Sequence, residues 1–387
     1  CLNGLDDIDS YFSTKKLSED NLGSVESEFV LGIDLGTCNS CMGIWRNNNL
    51  EIITDKNGNR TFPSVVSFSN RKKYVGFEAK NQIKLNPENT IYEVKRLMGK
   101  KMSDETVKND MEFLTYQIIA DDEDNVLIQT NQNIEKLYSP EEISASILTE
   151  LKYIAEDYLK QKVKKVIITV PAYFNDSQRQ ATKDAATIAD LDCLRIINEP
   201  TAAALAYGLT DRTKKTSTDK NIIVYDLGGG TLDVSLLNIS DGIFDVLASI
   251  GNSHLGGSDF DNMLMSYCIS QFKKKYSIDK LVDLKLISLQ KLKKSCENAK
   301  KILSSATKTF IGVTDFYDDH ELYINITREQ FEKICRELFI LCLKPIHDVL
   351  ISADLKIDDI DEVILVGGAT RMPTIRENIK NFFKGKI

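Results

Sequence analysis

Apolar runs in this chain are short, and the clearest of them stop at an acid and then glycine. Ile222 to Val224 leads into Asp226, then Gly228-Gly229-Gly230, Thr231 and Asp233. Such a run reads as a buried strand ended by a turn, where glycine supplies positive φ or lets another backbone come close. The same order occurs earlier, with Val30-Leu-Gly-Ile-Asp34 followed by Leu35-Gly36-Thr37. After each turn come a second strand (Cys41 to Arg46; Leu232 to Ile239), a polar turn (Asn47-Asn48-Asn49; Asp241-Gly242) and a third strand (Leu50 to Asp55; Ile243 to Ile250). A glycine triplet by itself also suits a plain hairpin. Two matching units half a chain apart instead predict a duplicated fold whose turns face each other across a cleft.

Between the two units the period changes from strand to helix. Ser139-Pro140-Glu141-Glu142 is a capping box with proline at the first helical position, and predicts a helix to about Lys160. Val163 to Val170 predicts a buried strand stopped by Pro171, Asn175 to Asp190 a helix, and Glu199-Pro200 a short alanine-rich helix ending at Gly208. Thr90 to Gly99 predicts a helix carrying Lys95 and Arg96, which alone would suit a solvated face. Further on, His254-Leu-Gly-Gly-Ser-Asp-Phe-Asp261 predicts a loop into a helix. Residues 284–304 predict a long helix with Glu297, Lys300, Lys301 and Ser304 on one face. Asp361 to Val366 predicts a strand ending in Gly367-Gly368-Ala369-Thr370-Arg371, before a helix from Pro373. Strand alternating with helix is the α/β signature. A polar stretch, Thr210 to Lys220, marks a boundary between 29–215 and 216–387.

Composition narrows the class. At 387 residues the chain is too long for one core and fits two domains or lobes. No apolar run reaches the length of a membrane span. The net charge of −8 argues against bulk binding of nucleic acid or an anionic membrane. Residues 1–28 hold seven acids and two lysines without periodicity, so neither a secretory nor a transit peptide is expected here, and a disordered extension is. The first residue is Cys, which leaves the true start open. The cysteines (1, 38, 41, 193, 268, 296, 335 and 342) are scattered, and Cys38-x-x-Cys41 has no second pair or nearby histidine for zinc. Reduced thiols in the cytoplasm are the expectation.

The chemistry follows from the paired turns. Successive unhindered N–H groups form an anion nest, and a hydroxyl with carboxylates beside it suits a phosphate with its metal ion. Opposed Asp34 and Asp226 would repel a phosphate chain unless a cation lay between them. A Mg²⁺-nucleotide is therefore inferred from the residues themselves.

Taken together, these motifs closely resemble the nucleotide-binding domain of the seventy-kilodalton heat-shock chaperones, the DnaK family. The residues carrying the resemblance are Gly32 to Thr37, Val170 to Asp176, Asn198 to Ala204, Tyr225 to Thr231, His254 to Gly257 and Val366 to Gly368, and it runs from about Val30 onward. It implies the actin-like ATPase fold, with ribonuclease H-like duplicated βββαβα lobes, two lobes each of two subdomains, and ATP or ADP at the cleft base. By motif position, Asp34 and Asp226 match carboxylates that hold Mg²⁺ through water, with K⁺ nearby. Asp233 and Thr231 match cation and phosphate contacts. Lys95 matches the lysine that positions the attacking water, and Glu199 the acid that orders it. Gly36, Thr37, Cys38, Asn39, Gly229, Gly230 and Thr231 fall in the phosphate turns. Glu297, Lys300, Lys301, Ser304, Gly367, Gly368 and Arg371 match the surround of adenosine. Pro171 and Arg179 match a relay to the substrate domain, and Arg195 a J-domain co-chaperone contact. A nucleotide exchange factor is implied too, and unfolded polypeptide only through a further domain.

The chain also departs from the family pattern. Cys38 stands where a threonine is usual, Lys301 where an arginine commonly stacks on adenine, and Ala369 where a serine is usual. Each loss is modest, about 0.5–1.5 kcal/mol for a neutral hydrogen bond and about 0.5–1 for an exposed cation–π contact. The family's closing helix and its peptide-binding domain are not in the sequence, so less stability is expected than for a complete domain. A sugar kinase, a filament protein and a non-hydrolysing nucleotide-binding regulator share the superfold and stay as alternatives.

Overall fold

The computed structural model describes residues 29–47, 49–69, 72–131, 136–210, 219–240, 243–282 and 284–386. The N-terminal extension, the Asp241-Gly242 turn and most of the polar boundary stretch lie outside the described residues.

Two sheets of matching connectivity carry the site. In the first, strands run in the order Asp192–Asn198, Lys165–Val170, Val30–Asp34, Asn39–Arg46, Asn49–Ile52, with Phe62–Pro63 pairing beside Asn39–Arg46. Val30–Asp34 is central, parallel to Lys165–Val170 and antiparallel to Asn39–Arg46, so Asp34 lies opposite both Thr169 and Cys41. In the second, the order is Ile243–Asn252, Leu232–Ser240, Lys220–Leu227, Glu362–Val366. Its central strand, Lys220–Leu227, is antiparallel to Leu232–Ser240 and parallel to Glu362–Val366, so Asp226 lies opposite both Asp233 and Val366. The expected succession of three strands is present twice, with Asn48 and Asp241-Gly242 of the second turns outside the described residues.

Hydrophobic burial explains both sheets. Ile222, Ile223, Val224 and Tyr225 are all fully buried, as a central strand covered on both faces requires. One apolar core gathers residues from Leu31 to Leu191 and a second from Ile223 to Phe383. The helix Pro140–Leu159 packs on the first sheet's side, capped by Ser139. Its hydroxyl accepts from the Glu142 N–H at 3.2 Å while the Glu142 carboxylate accepts from the Ser139 N–H at 3.0 Å. Helices Asp176–Ile188, Glu199–Thr210, Gly257–Tyr276, Leu286–Leu303 and Pro373–Phe382 fall where the sequence places them, within a few residues. Smaller sheets lie in 65–138, and a ribbon of Lys308–Tyr317 with His320–Thr327 packs on Leu286–Leu303.

One expected element is replaced. Thr90–Tyr92 is a strand and Val94–Arg96 a single 3-10 turn, where periodicity predicts a helix. Glu93 between them takes φ 56°, which breaks helical continuity, and Lys95 and Arg96 are buried instead of solvated. The described cysteines (38, 41, 193, 268, 296, 335 and 342) are free thiols. Among the described residues no helix is long and apolar enough to cross a membrane.

Candidate functional site

The two acid-and-glycine turns sit at the ends of the two central strands and touch. In the first, the Ser64 hydroxyl donates to the Gly36 carbonyl at 2.7 Å and the Ser64 N–H to the Cys38 carbonyl at 3.0 Å. A side chain on Gly36 would run into the Asn39 carbonyl, so only bare backbone makes this turn. In the second, the Gly228 N–H donates to the Thr231 carbonyl at 2.9 Å. The Gly228 and Gly229 carbonyls accept from Gly257 and Ser258 N–H groups at 3.0 and 2.7 Å, at the start of Gly257–Tyr276. A Cβ on Gly229 would strike the Cys38 sulfur, and one on Gly230 the Thr37 methyl. Thr37 is buried, whereas Asn39 is exposed where its strand begins.

A single ammonium lies among four carboxylates beside these turns. Lys95 Nζ donates to Glu199 Oε1 at 2.6 Å, with both side chains largely buried. Burial opposes the Lys95 charge, but Glu199, Asp34 and Asp226 outweigh it and raise its pKa. Burial pushes the Glu199 carboxyl up, with Lys95 pulling it down and Asp34 pushing it further up. Asp226 rises to about 8, by burial first and then repulsion from Glu199, Asp34 and Asp233. Asp233 rises to about 7 for burial and Glu199, although the Ala172 N–H donates to its Oδ2 at 2.9 Å. Asp34 is exposed and accepts from the Thr169 hydroxyl at 3.2 Å. Acids this reluctant to ionise together mark an excess of negative charge.

That excess is the test of a metal. No group of three His, Cys, Asp or Glu side chains among the described residues is placed to chelate an ion directly. Asp233 Oδ1, however, is buried with no hydrogen-bond partner. Surplus carboxylate and an orphaned oxygen fit a hydrated divalent cation brought in on a phosphate, held through water and not by a protein cage.

Arg96, which the sequence showed only as the neighbour of Lys95, joins the two halves. Its guanidinium donates to the Gly230 carbonyl at 2.9 Å and to Asp259 at 2.8 Å, and pairs with Asp110 at 3.3 Å and Glu93 at 3.7 Å. His254 Nε2 lies 2.8 Å from Asp110, and the Ser258 hydroxyl donates to Glu93 at 3.1 Å. Lys293 also pairs with Glu93 at 3.1 Å. Burial works against Glu93 ionising, yet Lys293 and Arg96 pull its carboxyl down to about 2. The signal in the sequence was the run His254 to Asp259, but spacing alone could not name its partners.

The residues expected around adenosine lie on two elements. Lys300 donates to the Gly257 carbonyl at 2.5 Å and to Asp261 at 2.7 Å. Glu297 pairs with Lys294 at 2.8 Å and with Lys301, and the Ser304 hydroxyl donates to the Lys300 carbonyl at 3.2 Å. Gly367, at φ 85°, has no room for a side chain against the Leu227 carbonyl. Gly367, Gly368, Arg371 and Arg376 line an open groove of about 600 Å³. Gly257 connects the two elements, because a Cβ there would meet both Lys300 Nζ and Ala369. Arg179 braces the loop after Pro171, donating to the Ala172 and Phe174 carbonyls at 3.0 and 2.9 Å and to Asn198 at 2.8 Å. Arg195 lies away on the edge strand, paired with Ile167.

Paired sheets, each ending in an acid-and-glycine turn, place the chain in the mixed α/β class. An Hsp70 protein family model matches residues 30–387, and the chain belongs to that family. It is 52% identical over 367 residues to a heat shock protein 70 homolog of Acanthamoeba polyphaga mimivirus, covering 93% of this chain and 39% of that protein. It is 47% identical to heat shock cognate 70 kDa protein 3 of Dictyostelium discoideum, covering 92% and 56%, and 46% identical to heat shock 70 kDa protein 2 of Paracoccidioides lutzii, covering 92% and 54%. The resemblance seen in the glycine motifs is borne out, and the chain corresponds to the nucleotide-binding region of a heat shock 70 chaperone. The family implies the actin-like ATPase fold, and its members bind nucleotide, typically with Mg²⁺. The chain spans between about two fifths and just over half the length of these relatives.

Proposed function

We propose that this chain binds and slowly hydrolyses ATP as the nucleotide-driven unit of an Hsp70-type chaperone. The observation that carries the reading is the buried Lys95–Glu199 pair, set among Asp34, Asp226 and Asp233 beside two touching glycine turns. The turns' N–H groups and the Thr37 and Thr231 hydroxyls hold the phosphates. Asp34, Asp226 and Asp233 would hold hydrated Mg²⁺ and K⁺, which would supply charge neutralisation to the phosphate chain. Lys95 orients the attacking water, and Glu199 fixes the Lys95 ammonium. Positioning and charge neutralisation do most of this work, since phosphoryl transfer needs little covalent help. Glu297, Lys300, Lys301, Ser304, Gly367, Gly368 and Arg371 surround adenosine.

In the same reading 29–215 and 216–387 are two lobes, each of two subdomains, whose relative shift follows loss of the terminal phosphate. Arg96 and its acids lie where such a shift would be felt, and Pro171 with Arg179 passes it on. Arg195 receives a J-domain partner, an exchange factor reopens the cleft in the cytoplasm, and unfolded polypeptide is bound by a peptide-binding domain. The test is single-turnover hydrolysis of bound ATP with Mg²⁺ and K⁺, in wild type and Lys95→Ala. The variant is expected to bind ATP within about threefold and to cleave it about 100-fold or more slowly. Equal cleavage by both proteins removes Lys95 from the reaction, and no cleavage by wild type sinks the ATPase reading.

A further inference from the structure

The loop Pro171 to Phe174 carries a donor that no role above uses. It leaves the strand Lys165–Val170 between Asp34 and Glu199, since Thr169 pairs with Asp34 and Val170 with Asn198. The Asp233 carboxylate and Arg179 hold its backbone from either side. The Tyr173 ring lies directly on Gly251, where any side chain would collide with it, and meets the Phe174 ring edge-on at 5.9 Å. That ring is therefore rigidly aimed from the first half of the molecule onto the second. Its hydroxyl is enclosed and makes no hydrogen bond of ordinary geometry, with a looser contact from the Thr231 hydroxyl on its oxygen and no acceptor for its own proton. Around it stand Asp233 and Glu199, the Thr231 hydroxyl and, on the attractive side, Arg96. Burial and then the two acids hold the phenol far above its ordinary pKa, so it stays a donor.

A buried hydroxyl left without a partner is costly, and native proteins keep few of them. We infer that Tyr173 donates its O–H to a non-bridging oxygen of the terminal phosphoryl group, and so distinguishes a nucleoside triphosphate from a diphosphate; this rests on the ATP reading above. Thr231, from the second glycine turn, stands beside that donor, so one phosphoryl group would meet hydroxyls from both halves at once. The geometry also explains Gly251, just ahead of the His254 to Gly257 run: it is the floor on which the ring lies.

The experiment compares wild type with Tyr173→Phe, which keeps the ring on Gly251 and deletes only the hydroxyl. ATP and ADP affinities are read with Mg²⁺ by displacement of a fluorescent nucleotide, alongside melting of the nucleotide-free proteins. ATP is expected to weaken about tenfold, the size of a hydrogen bond to a charged group, with ADP changed less than about twofold. The melting temperature of the nucleotide-free variant is expected to change little, because only the loose contact with Thr231 is lost there. Equal weakening of ATP and ADP, no change in either, or a fall in melting temperature overturns the inference while leaving the ATP reading intact. Failure of wild type to bind ATP overturns both.

Discussion

The two glycine turns share a strand pattern and differ in what holds them. Neutral groups from its own half hold the first: Ser64 reaches the Gly36 carbonyl at 2.7 Å and Ser40 at 3.0 Å, and Asp34 stays exposed. A cation from the opposite half holds the second, where Arg96 takes the Gly230 carbonyl at 2.9 Å, and Asp226 sits among charges that push it to about 8. Duplication therefore copied the scaffold without copying the electrostatics. The first turn is held chiefly from within its own half, with a long Cys38–Ser258 contact of 3.7 Å reaching across, while the Arg96 bond ties the second to both halves. In the function proposed above, the second is the turn through which closure of the halves and the state of the phosphate chain would be coupled.

The largest effect should come from removing the cross-half cation. Arg96→Ala leaves Glu93, Asp110 and Asp259 facing one another in a buried setting, and is expected to cost about 3–5 kcal/mol in denaturant melts. Ser64→Ala at the first turn should cost only about 1 kcal/mol. Similar losses in the two variants would erase the contrast.

Next comes acid sensitivity. The Glu93 carboxyl titrates near 2 in the fold against 4.5 in the open chain, a depressed value. Its stabilisation is present above pH 4.5 and lost as pH falls through 2, and is worth about 3 kcal/mol. Glu93→Gln should accordingly flatten the stability profile over that window. An unchanged slope would show that the lattice around Arg96 does not bear on folding.

A third effect has the opposite sign. Asp226 titrates at about 8 in the fold against 3.8 when unfolded, a raised value. Stability from its protonated form is present below pH 3.8 and lost as pH rises through 8. Asp226→Asn should then raise the stability of nucleotide-free protein at pH 8 while weakening Mg²⁺-nucleotide binding. Asp34→Asn should shift stability by less than about 0.5 kcal/mol, as for an exposed position. Equal stabilisation by the two changes would contradict the asymmetry.

The repeated strand and turn order, the capped helix at Ser139 and the acids at the strand ends were all legible in the chain. Period, caps and glycine placement are local properties, and local rules set them. The helix expected over Thr90 to Gly99 failed because the left-handed Glu93 and the burial of Lys95 and Arg96 answer to residues more than 100 positions away. The partners of Arg96, the pull on Glu93 and the seat of Tyr173 on Gly251 were invisible for the same reason. By itself, the sequence determined where the hydroxyls, glycine turns and carboxylates lie that a phosphate and a cation would need, because residue type dictates hydrogen-bonding and charge. Only the tertiary structure decided which of them share one buried space, because burial and distance govern how strongly charges act on each other.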